Sequence, residues 1–312
     1  MHDLAEDPET VAALFEAAAP ELPPPVAILR EPDGPRGVAR YAVRTRGGAF
    51  RLKLGLDGAS AAAVAHGVSA LPALAGAGLV VPASLAWRPG AEGVPAVAVE
   101  RRLGATDAAV AWPVLGPAGR DAVLGAAVGA LAALHALPAS VVPGGSAGGW
   151  RERVRRCADR HLGRLTDRDD VPAATLAAVR DVVGQATEAL AADLPLAPCH
   201  GAPGLRELTV ERRAFSGWRD FEALRLGDPV LDLAHLSFAI EGPEATRSGA
   251  ALVAAWGRAG GDERAARARI PLYRLLLTAA AVAAIPPGEA PVSLALLAAL
   301  SAAAAARIAG AA

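Results

Sequence analysis

The segment 195–229, PLAPCHGAPGLRELTVERRAFSGWRDFEALRLGDP, departs from the pattern around it. It contains two short apolar runs, ELTV and AFSGW, joined by the charged ERR, and this arrangement predicts a β-hairpin. On both sides of the segment the apolar residues recur at helical spacing, so the hairpin is embedded in helices. The predicted helices span residues 117–136, 149–166, 172–192, 229–240, 243–259, 262–284 and 291–309.

The first hundred residues have a different pattern. A helix is predicted over 9–19, with Asp7 as its cap and Pro8 in its first turn. Apolar runs separated by the turn-rich DGPRG and RGG then predict antiparallel strands. The strands lie near 26–29, 38–45, 49–56, 79–87 and 94–100, with one helix, 59–76, after the third strand. We therefore predict an α+β, two-lobed fold, with a sheet lobe at 1–100, a mostly helical lobe at 101–312 and a hinge near 100–104.

Composition excludes several classes of protein. The 312 residues are 53% apolar, carry a formal net charge of -1 and contain two cysteines. These values argue against a disulfide framework and against nucleic acid as a partner. The N-terminal MHDLAEDPET lacks the basic and apolar regions of a signal peptide, and the apolar stretches are interrupted by His135 and Arg274, so we expect packed helices without membrane contact and a cytoplasmic location.

Three motifs resemble one family. They are LAALHALP at 131–138, GDPVLDLAHL at 227–236, and the series His200-Gly201-Ala202, Glu207 and Asp220-Phe221-Glu222. Over nearly its full length the chain is similar to the aminoglycoside phosphotransferase and choline kinase-like family, which has a protein-kinase-like fold. That family has H-G-D, an asparagine five residues later, a hairpin and then D-W-E or D-F-E. The resemblance implies ATP or another nucleoside triphosphate, together with Mg²⁺, as cofactors.

The resemblance also implies roles for individual residues. Lys53 occupies the place of the phosphate-binding lysine, Glu100 and Asp220 join it at the nucleotide, and Asp220 and Glu207 are the candidate metal ligands. Lys53 is the single lysine in the chain, which contains no asparagine. The alternatives are a solvated lysine on a half-buried strand, because Arg51 and Lys53 share the face opposite the leucines, and a turn aspartate at position 220.

The chain departs from the family where catalysis is concerned. Ala202 stands at the position of the catalytic base, and alanine accepts no proton. Glu207 replaces the asparagine, and the helix 59–76 offers no acidic residue to pair with Lys53. Glu207 or Glu222 is then the candidate substitute base, and the DGPRG turn is a poor phosphate-covering loop.

Two functions remain open. The first is ATP- and Mg²⁺-dependent phosphoryl transfer to a hydroxyl of a small molecule or peptide without the usual base. The second is a pseudokinase that binds a nucleotide, ligand or peptide as the partner of a biosynthetic enzyme. A role in specialised metabolism is as plausible as drug resistance, because no acidic cluster is available for a polycationic aminoglycoside.

Other motifs receive structural interpretations. Residues 144–148 match G-x-S-x-G, and Asp232 and His235 follow in the order of a hydrolase triad, but the glycine-rich linker and the shared helix face argue against one. Asp228 before Pro229 predicts a helix cap with Asp232 in the first turn. His200 is interpreted as a structural residue of its loop, and Cys199 as neither a metal ligand nor a reactive thiol.

Overall fold

The computed structural model describes residues 7–103, 106–145, 149–188, 190, 194–240 and 245–286. Its N-terminal part is a five-stranded antiparallel sheet in the order β1-β2-β3-β5-β4. The strands are β1 (Pro25–Glu31), β2 (Ala39–Thr45), β3 (Gly48–Gly55), β4 (Ala83–Arg88) and β5 (Ala96–Arg101). Helix α1 (Pro8–Ala18) precedes them, and α2 (Gly58–Gly76) follows the third strand. The predicted α+β fold is confirmed.

One face of the sheet is covered by α1. Asp7 caps this helix by accepting hydrogen bonds from the backbone N–H groups of Glu9 and Thr10. Phe15 then packs its ring 5.9 Å from that of Phe50 on β3. Because side chains alternate along a strand, the residues of β3 on this face are apolar, and its Arg51 and Lys53 lie on the other face.

The remainder of the chain is mostly helical. Its helices are α3 (Ala108–Ala111), α4 (Pro117–His135), α5 (Trp150–Thr166), α6 (Ala173–Glu188), α7 (Pro229–Ala239), α8 (Ala245–Arg258) and α9 (Glu263–Ala284). Six of these agree with the predicted helices to within a few residues. The predicted helix 291–309 lies outside the described residues.

The predicted hairpin is present as β8 (Leu208–Glu211) and β9 (Ala214–Trp218). Three short strands were not predicted. They are β6 (Thr106–Asp107), which pairs with β8, and β7 (Ala197–Cys199) and β10 (Arg225–Gly227), which pair with each other. Two or three residues are too few to produce a readable alternation, so these strands depend on tertiary contacts.

The sheet and the helical part pack face to face. The chain passes between them after β5 ends at Arg101 and before β6 begins at Thr106. Helix α2 then contacts the segment after β9, where His66 donates from Nε2 to the carbonyl of Leu224 at 2.6 Å. The division of the chain at residue 100 stays a prediction.

Two described helices, α2 and α4, are long and apolar enough to cross a membrane by length and composition alone. Both contribute to the interior of the protein, α2 through Leu71 and Leu74 and α4 through Leu124 and Leu131. Core helices pass the same test, so these two helices are weak evidence for a membrane span.

Candidate functional site

A row of charged residues crosses the inner face of the sheet. The turn between β2 and β3 places Thr45 opposite Gly48, and this register sets Arg40 opposite Lys53. On the other side of β2, Glu31 is the partner of Arg40. Directly opposed residues share a face, so Glu31, Arg40 and Lys53 all point toward the helical part.

Lys53 is buried at the centre of this face. Its Nζ lies 2.8 Å from Oε1 of Glu100, 3.1 Å from Oδ1 of Asp220 and 2.6 Å from Oε1 of Glu222. Burial alone would lower the pKa of Lys53, but the three carboxylates raise it above its ordinary value. The alternative of a solvated lysine is therefore wrong: its side chain is only 2% exposed. The acidic partner missing from α2 is supplied by β5 and by the segment after β9.

Asp220 lies where the chain leaves β9, in a left-handed conformation with φ 66° and ψ 59°. Oδ2 is 2.6 Å from Nη1 of Arg40 and 3.3 Å from Nε of Arg219, while Oδ1 is 3.5 Å from Nη1 of Arg51, in addition to its contact with Lys53. Burial acts to raise the pKa of Asp220, but these four cations together hold it well below its usual range. The alternative of a turn aspartate agrees with the backbone at Asp220 but does not account for its buried ion pairs.

Each of the arginines around Asp220 has a second anchor. Arg51 forms a two-point pair with Glu31, at 2.8 and 3.1 Å. Arg219 pairs with Asp107 at 2.7 Å through both terminal nitrogens. We call the whole set of these ion-paired residues the interlobe network. Its members are Glu31, Arg40, Arg51, Lys53, Glu100, Asp107, Glu207, Arg219, Asp220 and Glu222. Sequence reasoning missed Arg40, Arg51, Arg219 and Glu31 as site residues, although the strand alternation and the two-residue hairpin turn place the first two beside Lys53.

Glu207 lies at the edge of the network, on the turn before β8. Its Oε1 is 3.8 Å from Nη1 of Arg40, and the side chain is 13% exposed. Burial, above all, and the nearby charge of Asp220 raise the pKa of Glu207 to about 7, although Arg40 and Arg219 act to lower it. Glu222, the other candidate base, is buried in its contact with Lys53 and does not face solvent.

The loop that carries Ala202 is fixed by Asp232 of α7. Asp232 accepts hydrogen bonds from the backbone N–H groups of His200 (2.8 Å) and Gly201 (2.9 Å), and its Oδ2 lies 2.9 Å from Nε2 of His135. Gly201 has φ +90°, and a Cβ there would lie 2.0 Å from the carbonyl oxygen of Ala223. Asp232 and the close approach of Ala223 therefore fix the backbone of the loop that carries Ala202.

The structural interpretations made from sequence agree with these contacts. His200 is fully buried and donates from Nε2 to the carbonyl of Arg219 at 2.8 Å. Asp228 caps α7 through the N–H of Val230 at 3.1 Å and accepts a 2.7 Å hydrogen bond from Tyr273. Because Asp232 is committed to the loop, it is not the orienter of a hydrolase triad, and Ser146 lies outside the described residues.

A cluster of His135, Cys199 and Asp232 has donor atoms within 4.8 Å of one another. Burial raises the pKa of the Cys199 thiol well above its ordinary value. Both oxygens of Asp232 already accept hydrogen bonds, as described above. The position of Asp232 in this cluster is therefore explained by its role in anchoring the loop.

The predicted Mg²⁺ ligands, Asp220 and Glu207, do not fit the ion in this arrangement. Mg²⁺ takes oxygen ligands at about 2.1 Å in an octahedral shell. Both oxygens of Asp220 face basic groups within 3.5 Å, and Nη1 of Arg40 lies between Asp220 and Glu207. A divalent cation placed there would meet Nη1 of Arg40, which already lies against both carboxylates and would repel it.

One small space lies beside the network among the described residues. A space of about 10 Å³ is lined by Arg51, Glu100, Leu103 and Arg219, among others. That volume suits about one water molecule, whereas small-molecule pockets measure about 300 Å³ or more. A cavity of about 330 Å³ does exist between α5 and α6, around Leu162 and Thr187, but it shares no lining residue with the network.

A small antiparallel sheet whose third strand carries a buried lysine, packed on a helical part with an embedded hairpin, defines a protein-kinase-like fold. The model of the phosphotransferase enzyme family matches residues 29–269. The chain therefore belongs to this family, as the resemblance of its motifs implies.

Solved structures share the fold at low sequence identity. A putative aminoglycoside phosphotransferase from Ralstonia eutropha is 16% identical, with a TM-score of 0.69 over 97% of this chain and 98% of that one. The aminoglycoside phosphotransferase APH(3″)-Id from Streptomyces rimosus is 21% identical, with a TM-score of 0.60 over 88% and 98%. The enzyme APH(2″)-IIIa, solved with GDP and kanamycin, is 14% identical, with a TM-score of 0.69 over 95% and 98%. No curated protein sequence matches the chain.

Proposed function

We propose that this chain is a pseudokinase of the phosphotransferase family, a cytoplasmic protein that does not transfer phosphate and that acts as a binding partner of a biosynthetic enzyme. The observation that carries the proposal is the carboxylate of Asp220, which faces four basic side chains in the buried interlobe network. The aspartate is thereby engaged inside the protein and not presented to a ligand.

Two further features support the loss of catalysis. Ala202 cannot accept the proton of an acceptor hydroxyl, although Asp232 holds its loop in order. Charge neutralisation of phosphates is the other requirement of the reaction, and Lys53 is already paired with three carboxylates. A nucleotide would have to break these pairs in order to enter.

The binding role follows from what the fold retains. The structurally similar protein APH(2″)-IIIa was solved in complex with GDP and kanamycin. If the two parts of this chain separate, the arginines and Lys53 offer phosphate-binding groups, so a nucleotide is the first ligand class to test. The partner enzyme would then recognise either the form in which the two parts are in contact or the form in which they are separated.

A second candidate is phosphoryl transfer with Glu207 as the base. It is favoured by one observation, the pKa of Glu207, which is raised to about 7. A general base is most effective when its pKa lies near the working pH. In this case the rate should rise with pH through about 7 and should be lost in Glu207→Gln.

The test compares the wild type with Ala202→Asp, which restores the family's base, and with Glu207→Gln. Release of ADP from ATP is followed with and without Mg²⁺, with kanamycin as a probe acceptor. The proposal expects no turnover by the wild type or by Ala202→Asp, because restoring the base leaves the ion pairs of the network in place. Turnover by the wild type that Glu207→Gln abolishes would overturn it and establish the second candidate.

A further inference from the structure

We infer that the guanidinium of Arg40 is a built-in cation that takes the place of a divalent metal between Asp220 and Glu207. Its Nη1 lies 2.6 Å from Oδ2 of Asp220 and 3.8 Å from Oε1 of Glu207. One positive nitrogen therefore lies between the two carboxylates that the sequence predicts as metal ligands. The inference deepens the proposed function and rests on it, because it explains why the site needs no metal.

Arg40 is held in this position by the turn between β1 and β2. Nε donates to the carbonyl of Pro32 at 2.9 Å, and Nη2 donates to the carbonyl of Asp33 at 3.1 Å. With Nη1 on Asp220, all three nitrogens of the guanidinium have an oxygen partner. A buried guanidinium whose three nitrogens all donate hydrogen bonds is held in one orientation.

The turn itself is shaped around this side chain. Gly34 lies against Arg40, and a Cβ at Gly34 would approach Cδ of Arg40 to 3.2 Å. The N–H of Gly34 bonds the carbonyl of Val38 at 2.7 Å and closes the turn. The DGPRG segment, which was predicted to be a poor phosphate-covering loop, thus cradles an internal arginine.

The charge balance explains why the arginine is needed. Within the described residues, the carboxylates of the network outnumber its four basic side chains, Arg40, Arg51, Lys53 and Arg219, even when Glu207 is counted as protonated. The carboxylates are those of Glu31, Glu100, Asp107, Glu207, Asp220 and Glu222. Removing Arg40 would leave Asp220 and Glu207 without the cation between them and would make the network more negative. Such a pair of hard oxygen donors is a site for a divalent cation.

The experiment measures Mn²⁺ binding by electron paramagnetic resonance on the full chain, without nucleotide. The wild type should show no saturable site. Arg40→Ala should bind one Mn²⁺ saturably, at least about tenfold more tightly than any residual binding by the wild type, a change of about 1.4 kcal/mol. Arg40→Ala with Asp220→Asn should lose that site. The matched control is Arg44→Ala, an exposed arginine on the same strand, which should behave as the wild type.

Arg40→Met keeps the side-chain volume and replaces Arg40→Ala if that variant does not fold. The inference is overturned if the wild type binds Mn²⁺ through Asp220, or if folded Arg40 variants bind none. If neither variant folds, the melting temperature of the wild type decides: independence from Mg²⁺ and EDTA supports the inference, and a Mg²⁺-dependent rise overturns it. Phosphate transfer by the wild type is a separate result, which would refute the proposed function.

Discussion

Glu207 carries a proton in the folded protein at a pH where a free glutamate is ionised. Burial and Asp220 raise its pKa to about 7, from an ordinary value of 4.5. Between these two pH values the folded chain keeps a proton that the unfolded chain has released. The free energy of unfolding therefore falls as the pH rises from about 4.5 to 7, and this loss of stability is constant above that range.

Glu207→Gln should remove this cost. We expect its free energy of unfolding, relative to the wild type, to increase by about 1 to 3 kcal/mol between pH 5 and pH 8, because each tenfold change in proton affinity corresponds to about 1.4 kcal/mol. Urea unfolding at several pH values measures the difference. Glu211→Gln, an exposed glutamate in the same hairpin, should show a flat difference. A flat difference for Glu207→Gln as well would refute the raised pKa.

At the scale of elements, three helices are joined by one chain of hydrogen bonds. Trp150 of α5 donates from Nε1 to the hydroxyl of Tyr273 of α9 at 2.8 Å, and that hydroxyl donates to Asp228 at the start of α7 at 2.7 Å. Asp228 also lies 3.2 Å from Nη1 of Arg269. The helix that positions Asp232 is thus fixed from its first residue by two other helices.

Tyr273→Phe tests this chain. The variant keeps the ring but leaves the Trp150 N–H without its partner and Oδ2 of Asp228 with Arg269 alone, so we expect a loss of about 1 to 3 kcal/mol in stability. Thermal unfolding followed by circular dichroism measures it. Tyr41→Phe, in the sheet part, tests whether loss of a hydroxyl elsewhere has the same effect. An unchanged melting temperature for Tyr273→Phe would show that the chain of bonds contributes nothing.

Among the helices and strands, the long ones can be predicted from the sequence and the short ones cannot. Long elements such as α4 and the β8–β9 hairpin follow from apolar periodicity, because each buries one face over several turns or residues. The short strands β6, β7 and β10 have too few residues for such a pattern. Of the site, Lys53 and Asp220 are identified through the resemblance of the motifs to the family, and the structure brings the two together. Arg219 and Glu31 are not identified in this way, because their ion pairs join residues that are far apart in sequence.

At the scale of the whole molecule, Lys53 joins the two parts of the chain. Its ammonium contacts Glu100 of the sheet and both Asp220 and Glu222 of the helical part. Removing one member of a buried ion-pair network leaves the remaining charges uncompensated, which typically costs about 3 to 5 kcal/mol. The charges left in this case are three carboxylates that repel one another across the contact between the two parts.

Lys53→Met should therefore weaken the contact between the two parts more than it weakens either part. We expect hydrogen exchange to accelerate at the amides of β3, β5 and the segment after β9, while α7 and α9 keep their protection, because neither helix contributes a residue to the network. Mass spectrometry of exchanged peptides measures this. Adding Glu222→Gln removes one of the uncompensated carboxylates and should restore part of the protection, whereas Arg44→Met should change nothing. Equal acceleration in all helices would mean that the ion pairs stabilise the whole fold and do not hold two separable parts together.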